Sequence, residues 1–172
     1  KSDSDVWMTT WDGTQTIQVT SSPDGESSPR WSPDGRYLSF LSSRQGGKGS
    51  QLWLLDRQGG EAKRVTELRT GIREYEWSPD SKRIVYRASH PSDPAEVARY
   101  KELLGQRLVE PGQLEIFVMN ADGSAKRQVT ANGASNFSPF FHPDGKRIIF
   151  ASNVETKSEG GRPSFHLFLI GD

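Results

Sequence analysis

Three aspartates recur in tight turns of the sequence and are the first candidates for chemistry. Asp34, Asp80 and Asp144 follow Ser-Pro or His-Pro in the strings SPDG, SPDS and HPDG. A pair of such carboxylates could catalyse glycoside hydrolysis, one as general acid and one as nucleophile or base. However, an aspartate that returns at the same place in every copy of a turn typically accepts backbone N–H hydrogen bonds there. We therefore predict that these aspartates shape turns and do not catalyse a reaction.

Histidine and serine offer few further catalytic arrangements. The three histidines, His90, His142 and His166, lack the i, i+4 spacing that presents two metal ligands from one helix. His142 replaces the serine of the turn sequence, so we interpret it as a turn residue. A serine hydrolase would need G-x-S-x-G between a strand and a helix, and the strings GKGSQ and GASNF do not match it. The sequence predicts no catalytic residue, no cofactor and no metal site.

Charge and hydropathy argue against two classes of partner. Lys and Arg together number 22 and Asp and Glu together number 22, so the formal net charge is zero. A neutral chain has no general attraction to nucleic acid or to an anionic membrane. Apolar runs stay far shorter than the roughly 20 residues of a membrane span. We expect no nucleic-acid partner and no membrane span.

The elements that would position a site follow an internal repeat. Thr20, Thr66 and Thr130 end the strings IQVT, KRVT and RQVT, and each precedes an aromatic residue by 11 positions. A glycine lies seven positions before each of these threonines, and another aromatic lies 13 positions before it. Because the three registers agree without a gap, the repeat is not a chance match.

Each repeat unit reads as four short strands. The first strand holds a Trp or Phe and enters the Pro-Asp turn, and the second alternates with period two (RYLSF, RIVY, RIIF). The third is an apolar run (LWLLD, IFVMN), and a glycine turn leads to the fourth, which ends in Val-Thr. Four-stranded units of about 45 residues are typical of β-propeller blades.

This blade pattern resembles the WD-repeat-like blades of the TolB family. It is also similar to the blades of the propeller in prolyl-oligopeptidase-type serine peptidases. The resemblance rests on W-S-P-D-G, a following alternating strand, and D-G or G-G before the Val-Thr strand, and it covers nearly the whole chain outside one insertion. It implies an all-β fold of four-stranded antiparallel blades, here about three blades plus incomplete ends, with one short helical insertion.

We predict one partial β-propeller over residues 1–172, with 13 strands grouped as two, four, four and three. The blade pieces are expected at about 5–20, 29–66, 75–130 and 139–170. This grouping indicates part of a longer propeller, or a half-propeller that completes itself by association. Two copies would give about six blades, the number that TolB has, and unpaired sheet edges would favour such self-association.

Residues 88–113 interrupt the repeat and are predicted to contain a short helix. Asp93 has the position of an N-cap and Pro94 that of the first helical residue, and an apolar stripe follows at spacings of three and four. We interpret the segment as a helix packed on the blade edge. The alternative is a lid over the channel mouth or a helix that docks a partner.

The connections between strands divide between two faces of an antiparallel propeller. The uniform face carries the near-identical tight turns between first and second and between third and fourth strands. The variable face carries the connections of differing length and sequence, where a rigid frame usually presents its binding residues. We therefore expect a ligand at the variable face, and the candidate residues there are Arg69, Arg73, Glu74, Tyr75, Asn136, Phe137 and His90.

Three functions remain open at this point. The first, which we expect, is a non-catalytic interaction scaffold of the TolB-like kind that binds a protein or peptide at the variable face or channel mouth. The resemblance to the TolB family implies a periplasmic or extracytoplasmic location, although the sequence shows no signal peptide. The second is the substrate-access propeller of a prolyl-oligopeptidase-type peptidase. The third is a metal-dependent carbohydrate-active propeller, for which only the fold argues.

Overall fold

The computed structural model describes residues 4–44, 49–89, 114–155 and 164–171. Within these ranges every regular element is a β-strand. The strands are β1 (Trp7–Thr9), β2 (Thr16–Gln18), β3 (Glu26–Trp31), β4 (Tyr37–Ser42), β5 (Gln51–Asp56), β6 (Lys63–Arg64), β7 (Glu74–Trp77), β8 (Arg83–Ala88), β9 (Glu115–Asn120), β10 (Arg127–Gln128), β11 (Asn136–Phe141), β12 (Arg147–Ser152) and β13 (His166–Gly171).

The described strands form four separate antiparallel sheets, as the repeat predicts. Sheet 1 contains β1 and β2, blade 2 contains β3 to β6, blade 3 contains β7 to β10, and blade 4 contains β11 to β13. Within each sheet, neighbours along the chain are hydrogen-bonded neighbours, which is the meander of a propeller blade. The predicted grouping of two, four, four and three strands is thus confirmed. The helix predicted within 88–113 falls on residues 90–113, which lie outside the described ranges.

The second and third strands pair in the same register in each blade. Phe40 pairs with Trp53 in blade 2, and Tyr86 pairs with Phe117 in blade 3. In blade 4 the corresponding pair is Phe150 and Phe168, whose rings lie 5.8 Å apart. This register makes the three blades superimposable, so positions can be compared from blade to blade.

The hydrophobic core lies between successive blades and not inside any one sheet. Side chains alternate across a strand, so one set faces the preceding blade and the other faces the following blade. Leu52 and Leu54 of β5, for example, belong to one buried cluster with Trp77, Ile84 and Phe117 of blade 3. Each blade is therefore apolar on both faces, which explains the continuous apolar runs of the third strands.

The recurrent aspartates shape the turns of the uniform face, as predicted. Asp34 accepts hydrogen bonds from the Ser32 hydroxyl at 2.6 Å and from the backbone N–H two residues later at 3.0 Å. Asp80 repeats the first contact with the Ser78 hydroxyl at 2.6 Å. The serine hydrogen bond lowers the pKa of Asp34 and of Asp80, and a backbone N–H does the same for Asp144. These carboxylates are engaged within their own turns.

One turn departs from glycine at a position that needs a left-handed backbone. Gly35 and Gly145 have φ values of 70° and 67°, and Ser81 occupies the equivalent place in blade 3 with φ 60°. The Ser81 side chain offsets part of the cost of this left-handed backbone, because its hydroxyl accepts the Asp34 backbone N–H from blade 2 at 3.0 Å.

Among the described residues, no helix combines the length and apolar character that crossing a membrane requires.

Candidate functional site

The junction between blades 3 and 4 brings several candidate residues together at the variable face. Glu74 opens β7, whereas Asn136 and Phe137 open β11. Arg87 of β8 lies between them, with its Nε 2.7 Å from Glu74 Oε1 and its Nη1 donating to the Asn136 carbonyl oxygen at 3.1 Å. The Arg87 guanidinium lies 4.4 Å from the ring centroid of Phe137. We call Glu74, Arg87, Phe137 and Ser138 the Arg87 cluster.

A β-bulge in β11 shapes the Arg87 cluster. The pairing of β11 with β12 shifts register between Phe137 and Phe140, and Ser138 has φ 48° directly before Pro139. A left-handed backbone is uncommon for residues other than glycine, so this conformation needs support from its surroundings. Glu74 provides it, because its Oε1 accepts the Ser138 backbone N–H at 2.8 Å. One carboxylate therefore holds both the arginine and the bulge.

Charges in the Arg87 cluster compensate each other. Burial lowers the pKa of Arg87, and the Glu74 carboxylate opposes that shift. Arg73 is exposed and donates its backbone N–H to the Arg87 carbonyl oxygen at 3.0 Å. The half-buried ion pair is thus nearly neutral, and Arg73 adds an exposed positive charge beside it.

An exposed aromatic pair borders the cluster. Phe137 is 36% exposed and Phe165 is 47% exposed. Their rings lie 5.3 Å apart at an interplanar angle of 76°, the edge-to-face arrangement that aromatic pairs prefer. Aromatic residues, phenylalanine included, and arginine are enriched in protein interfaces relative to the rest of the surface.

This arrangement suits recognition better than catalysis. Glu74 Oε1 already accepts a hydrogen bond from a backbone N–H and faces a guanidinium, so this oxygen atom has a structural role. Within the ranges that the structure describes, no group of three or more His, Cys, Asp or Glu side chains could hold a metal ion. What the site offers is apolar contact area, an exposed cation and a backbone edge.

Tyr75 follows Glu74 in β7, but its side chain is buried instead of exposed at the variable face, contrary to the expectation from the sequence. Its side chain is only 2% exposed. The hydroxyl donates to the Ser28 carbonyl oxygen at 2.8 Å and lies 2.9 Å from Ser39 Oγ, both in blade 2. Burial raises the pKa of this hydroxyl. Tyr75 therefore joins blades 2 and 3 and is closed to a ligand.

Asn136 is likewise a buried structural residue. Its amide nitrogen donates to Glu115 Oε2 at 2.9 Å, to Asn132 Oδ1 at 3.1 Å and to the Ala134 carbonyl oxygen at 3.2 Å. These bonds order the loop that enters β11 and connect it to β9. Asn136 thus supports the Arg87 cluster from behind, and only its carbonyl oxygen contacts Arg87.

The other candidates lie apart from the cluster or outside the described residues. Arg69 is exposed in the loop between β6 and β7. His90 belongs to the undescribed residues. His142 lies in its turn with Nδ1 3.1 Å from Asp144 Oδ2, consistent with the predicted turn role. His166 is exposed at the start of β13.

Arg87 is the residue that reasoning from the sequence missed, although a signal exists. Aligning the repeats on Phe40, Tyr86 and Phe150 places Arg87 opposite Leu41 of blade 2 and Ala151 of blade 4. A charged residue where the other blades have apolar ones indicates a local change in the junction. Its pairing with Glu74, 13 residues earlier, could not be read from spacing alone.

Comparison with known proteins agrees with the propeller fold. No protein-family model matches the chain. The uncharacterised peptidase YuxL of Bacillus subtilis (strain 168) is 27% identical over 177 residues, which cover 93% of this chain and 27% of that protein. The chain therefore spans about a quarter of the length of this curated relative.

Solved structures show the same architecture. TolB from Acinetobacter baumannii is 25% identical with a TM-score of 0.63, over 94% of this chain and 34% of that one. The β-propeller domain of the Trilobed protease from Pyrococcus furiosus is 16% identical with a TM-score of 0.56, over 92% and 42% respectively. The chain is thus similar to TolB and to peptidase propellers, and its sheets are propeller blades.

Proposed function

We propose that this chain is the binding part of a propeller and is not itself catalytic. In this proposal an extended protein or peptide segment binds at the variable face, where the Arg87 cluster meets Phe165 and Arg73. The observation that carries the proposal is the exposed aromatic pair held beside the half-buried ion pair of Glu74 and Arg87. The bulge itself belongs to the blade frame, because β3 of blade 2 has the same register shift and Ser28 has φ 53° before Pro29.

The chemistry of the site favours a peptide with apolar and acidic side chains. β11 is an edge strand of blade 4, so one of its sides has no neighbouring strand in that sheet. Edge strands can accept an extended peptide through backbone hydrogen bonds, while side chains give specificity. Phe137 and Phe165 offer contact to an apolar side chain, and Arg73 offers a partner for a carboxylate.

A peptide-display selection on the chain tests this proposal. Peptides enriched on the unmodified chain should lose about ten-fold or more of their affinity on Phe137→Ala and on Arg73→Ala. Trp11→Ala and Arg57→Ala are matched controls, because they remove an exposed aromatic and an exposed arginine from uniform-face turns. Equal binding to all four variants, or no enrichment on the unmodified chain, would contradict the proposal.

A second function is favoured by the relative that is named a peptidase. If the parent protein is a peptidase of that kind, the same face would contact peptides on their way to a separate catalytic domain. A G-x-S-x-G string between a strand and a helix in a longer reading frame would support this function. The 172-residue chain alone should then bind peptides without hydrolysing them.

Two expectations from the sequence remain predictions. One is the periplasmic or extracytoplasmic location. The other is the metal-dependent carbohydrate-active propeller, for which the fold is the only argument.

A further inference from the structure

The loop that enters β11 contains an Asn-Gly sequence, Asn132-Gly133, which occurs nowhere else in the chain. Asparagine is chemically labile, because the backbone nitrogen of the next residue can attack its side-chain amide carbon. That attack needs an unhindered nitrogen, a polarised amide and access to water. Asn132 and Gly133 are both exposed, and a Cβ atom on Gly133 would have no atom within 4 Å. Side chains therefore do not obstruct the attack at this position.

The attacking nitrogen is free after Asn132 and engaged after two other asparagines. Among the described residues, nothing accepts a hydrogen bond from the Gly133 backbone N–H. By contrast, the N–H groups after Asn120 and Asn153 are donated to a backbone carbonyl oxygen at 2.9 Å and to a serine hydroxyl at 3.2 Å. Asn136, the fourth asparagine, is buried. Within the described ranges, Asn132 is therefore the asparagine that combines an exposed side chain with a free neighbouring N–H.

Two hydrogen-bond donors polarise the side-chain carbonyl of Asn132. Its Oδ1 accepts the Ala134 backbone N–H at 3.1 Å and the Asn136 side-chain amide at 3.1 Å. Attack on the carbon turns this oxygen atom into an oxyanion, and donors that already face the oxygen stabilise that charge without rearrangement. The loop thus supplies both a free nucleophile and a stabilised oxyanion.

We propose that Asn132 is a self-modification site of the folded chain, with water as the only co-reactant. The Gly133 nitrogen gives its proton to solvent and forms a bond to Asn132 Cγ. The Cγ–Nδ2 bond then breaks, and the nitrogen takes a proton from solvent and leaves as ammonia. Water opens the resulting succinimide ring at Cγ, which gives aspartate, or at the backbone carbonyl carbon, which gives isoaspartate. The net change replaces an amide by a carboxyl group, and no oxidant or reductant takes part.

The product changes the hydrogen bonds of the loop. Asn132 Nδ2 donates to Asn136 Oδ1 at 3.3 Å, and a carboxylate in its place sets two acceptors against each other. The Asn136 amide nitrogen also donates to Glu115 Oε2 at 2.9 Å, so two carboxyl groups then converge on one amide. We expect the modified loop to open more readily, including at the Ser135 backbone N–H, which Asn153 Oδ1 accepts at 2.8 Å.

Incubation of the folded chain in water labelled with heavy oxygen, at mildly alkaline pH, tests the modification. Peptide mass spectrometry should show that position 132 loses ammonia and takes up labelled oxygen, whereas Asn120 and Asn153 stay unmodified. Chain unfolded in guanidinium chloride is the positive control, because its Asn-Gly sequence reacts without help from the fold. An Asn132 that reacts in the unfolded chain but stays intact in the folded chain would overturn the proposal. Equal modification of all three asparagines in the folded chain would do the same.

Hydrogen exchange on two substituted chains tests the effect on the loop. Asn132→Asp, which copies the aspartate product, should speed exchange of the Ser135 backbone N–H by about ten-fold. Asn120→Asp is the matched control, because it adds the same charge at the exposed end of β9 and should leave this exchange unchanged. Equal exchange rates at Ser135 in the two variants would contradict the effect. Neither measurement involves a peptide, so both are independent of binding at the Arg87 cluster.

Discussion

At the residue scale, the recurring threonines explain how the fourth strand ends. Each threonine hydroxyl accepts a backbone N–H from the third strand or the residue before it: from Val6 at 2.8 Å, from Leu52 at 2.9 Å and from Ile116 at 2.9 Å. The same hydroxyls donate to a buried or half-buried side chain, which is Glu26, Gln51 or Glu115 in turn. The threonine hydroxyl therefore joins two segments by accepting one hydrogen bond and donating another. The spacing in the sequence shows that the threonine recurs, but not what its hydroxyl contacts.

Glu115 makes this bridge sensitive to pH, because burial raises the pKa of its carboxyl from 4.5 to about 7. Since the folded protein holds this proton more tightly than the unfolded chain, stability should fall as the pH rises from 4.5 to about 7. Glu115→Gln places a glutamine where blade 2 has Gln51. This substitution removes the loss of stability with rising pH. We expect its advantage in unfolding free energy to grow by about 1–2 kcal/mol between about pH 5 and pH 8.

Urea unfolding over that pH range measures the effect. Glu61→Gln, at an exposed position on the turn between β5 and β6, is the control and should leave the pH profile unchanged. If the unfolding free energy of Glu115→Gln and that of the unmodified chain changed with pH in parallel, the prediction would be contradicted.

Ser39 is one of the residues through which blades 2 and 3 exchange hydrogen bonds. Its buried hydroxyl donates to the Arg30 carbonyl oxygen at 2.9 Å and accepts Trp77 Nε1–H at 2.8 Å. Ser39→Ala leaves buried polar groups unpaired, and we expect it to lower the unfolding free energy by about 2–3 kcal/mol. Ser27→Ala, on the exposed part of β3, should change it by less than about 0.5 kcal/mol. Chemical denaturation measures both unfolding free energies, and equal values for the two variants would contradict this role of Ser39.

At the element scale, the turn between the third and fourth strands of blade 3 contacts the preceding blade. A Cβ atom at Gly123 would lie 2.1 Å from the Val65 carbonyl oxygen, directly after β6 of blade 2. The equivalent Gly13 has no atom within 4 Å of such a Cβ. The turn of blade 3 is therefore a tight inter-blade contact, whereas that of sheet 1 is open.

Alanine at these two glycines separates backbone strain from steric contact. Both glycines have left-handed backbones, with φ 72° at Gly13 and φ 86° at Gly123. Gly13→Ala should cost about 1–2 kcal/mol from strain alone. Gly123→Ala should cost about 1–3 kcal/mol more, because blades 2 and 3 must move apart. Thermal unfolding should rank the variants in that order, and equal losses would argue against the contact.

The sequence predicts the strands well because the repeat and the turn residues are local signals. It does not reveal that Tyr75 and Asn136 are buried, since a period-two pattern assigns alternate faces of a strand but not what covers each face. In a propeller both faces of a blade are covered, so a polar residue can be as buried as a leucine. The Arg87 cluster depends on the β11 bulge and on a contact between blades, which only the folded arrangement brings together.

At the scale of the whole molecule, the two faces differ in what they can do. The uniform face is occupied by turns whose aspartates are satisfied internally. The variable face carries the bulged edge strand, the exposed aromatic pair and Arg73.

Backbone amide chemical shifts tell directly which face binds. Isotope-labelled chain would be titrated with a peptide selected by display, and the shifts mapped onto the blades. We expect the largest changes at Arg73, Phe137 and Ser138, with little change in the turns around Asp34, Asp80 and Asp144. Changes concentrated in those turns, with the Arg87 cluster unaffected, would contradict this expectation.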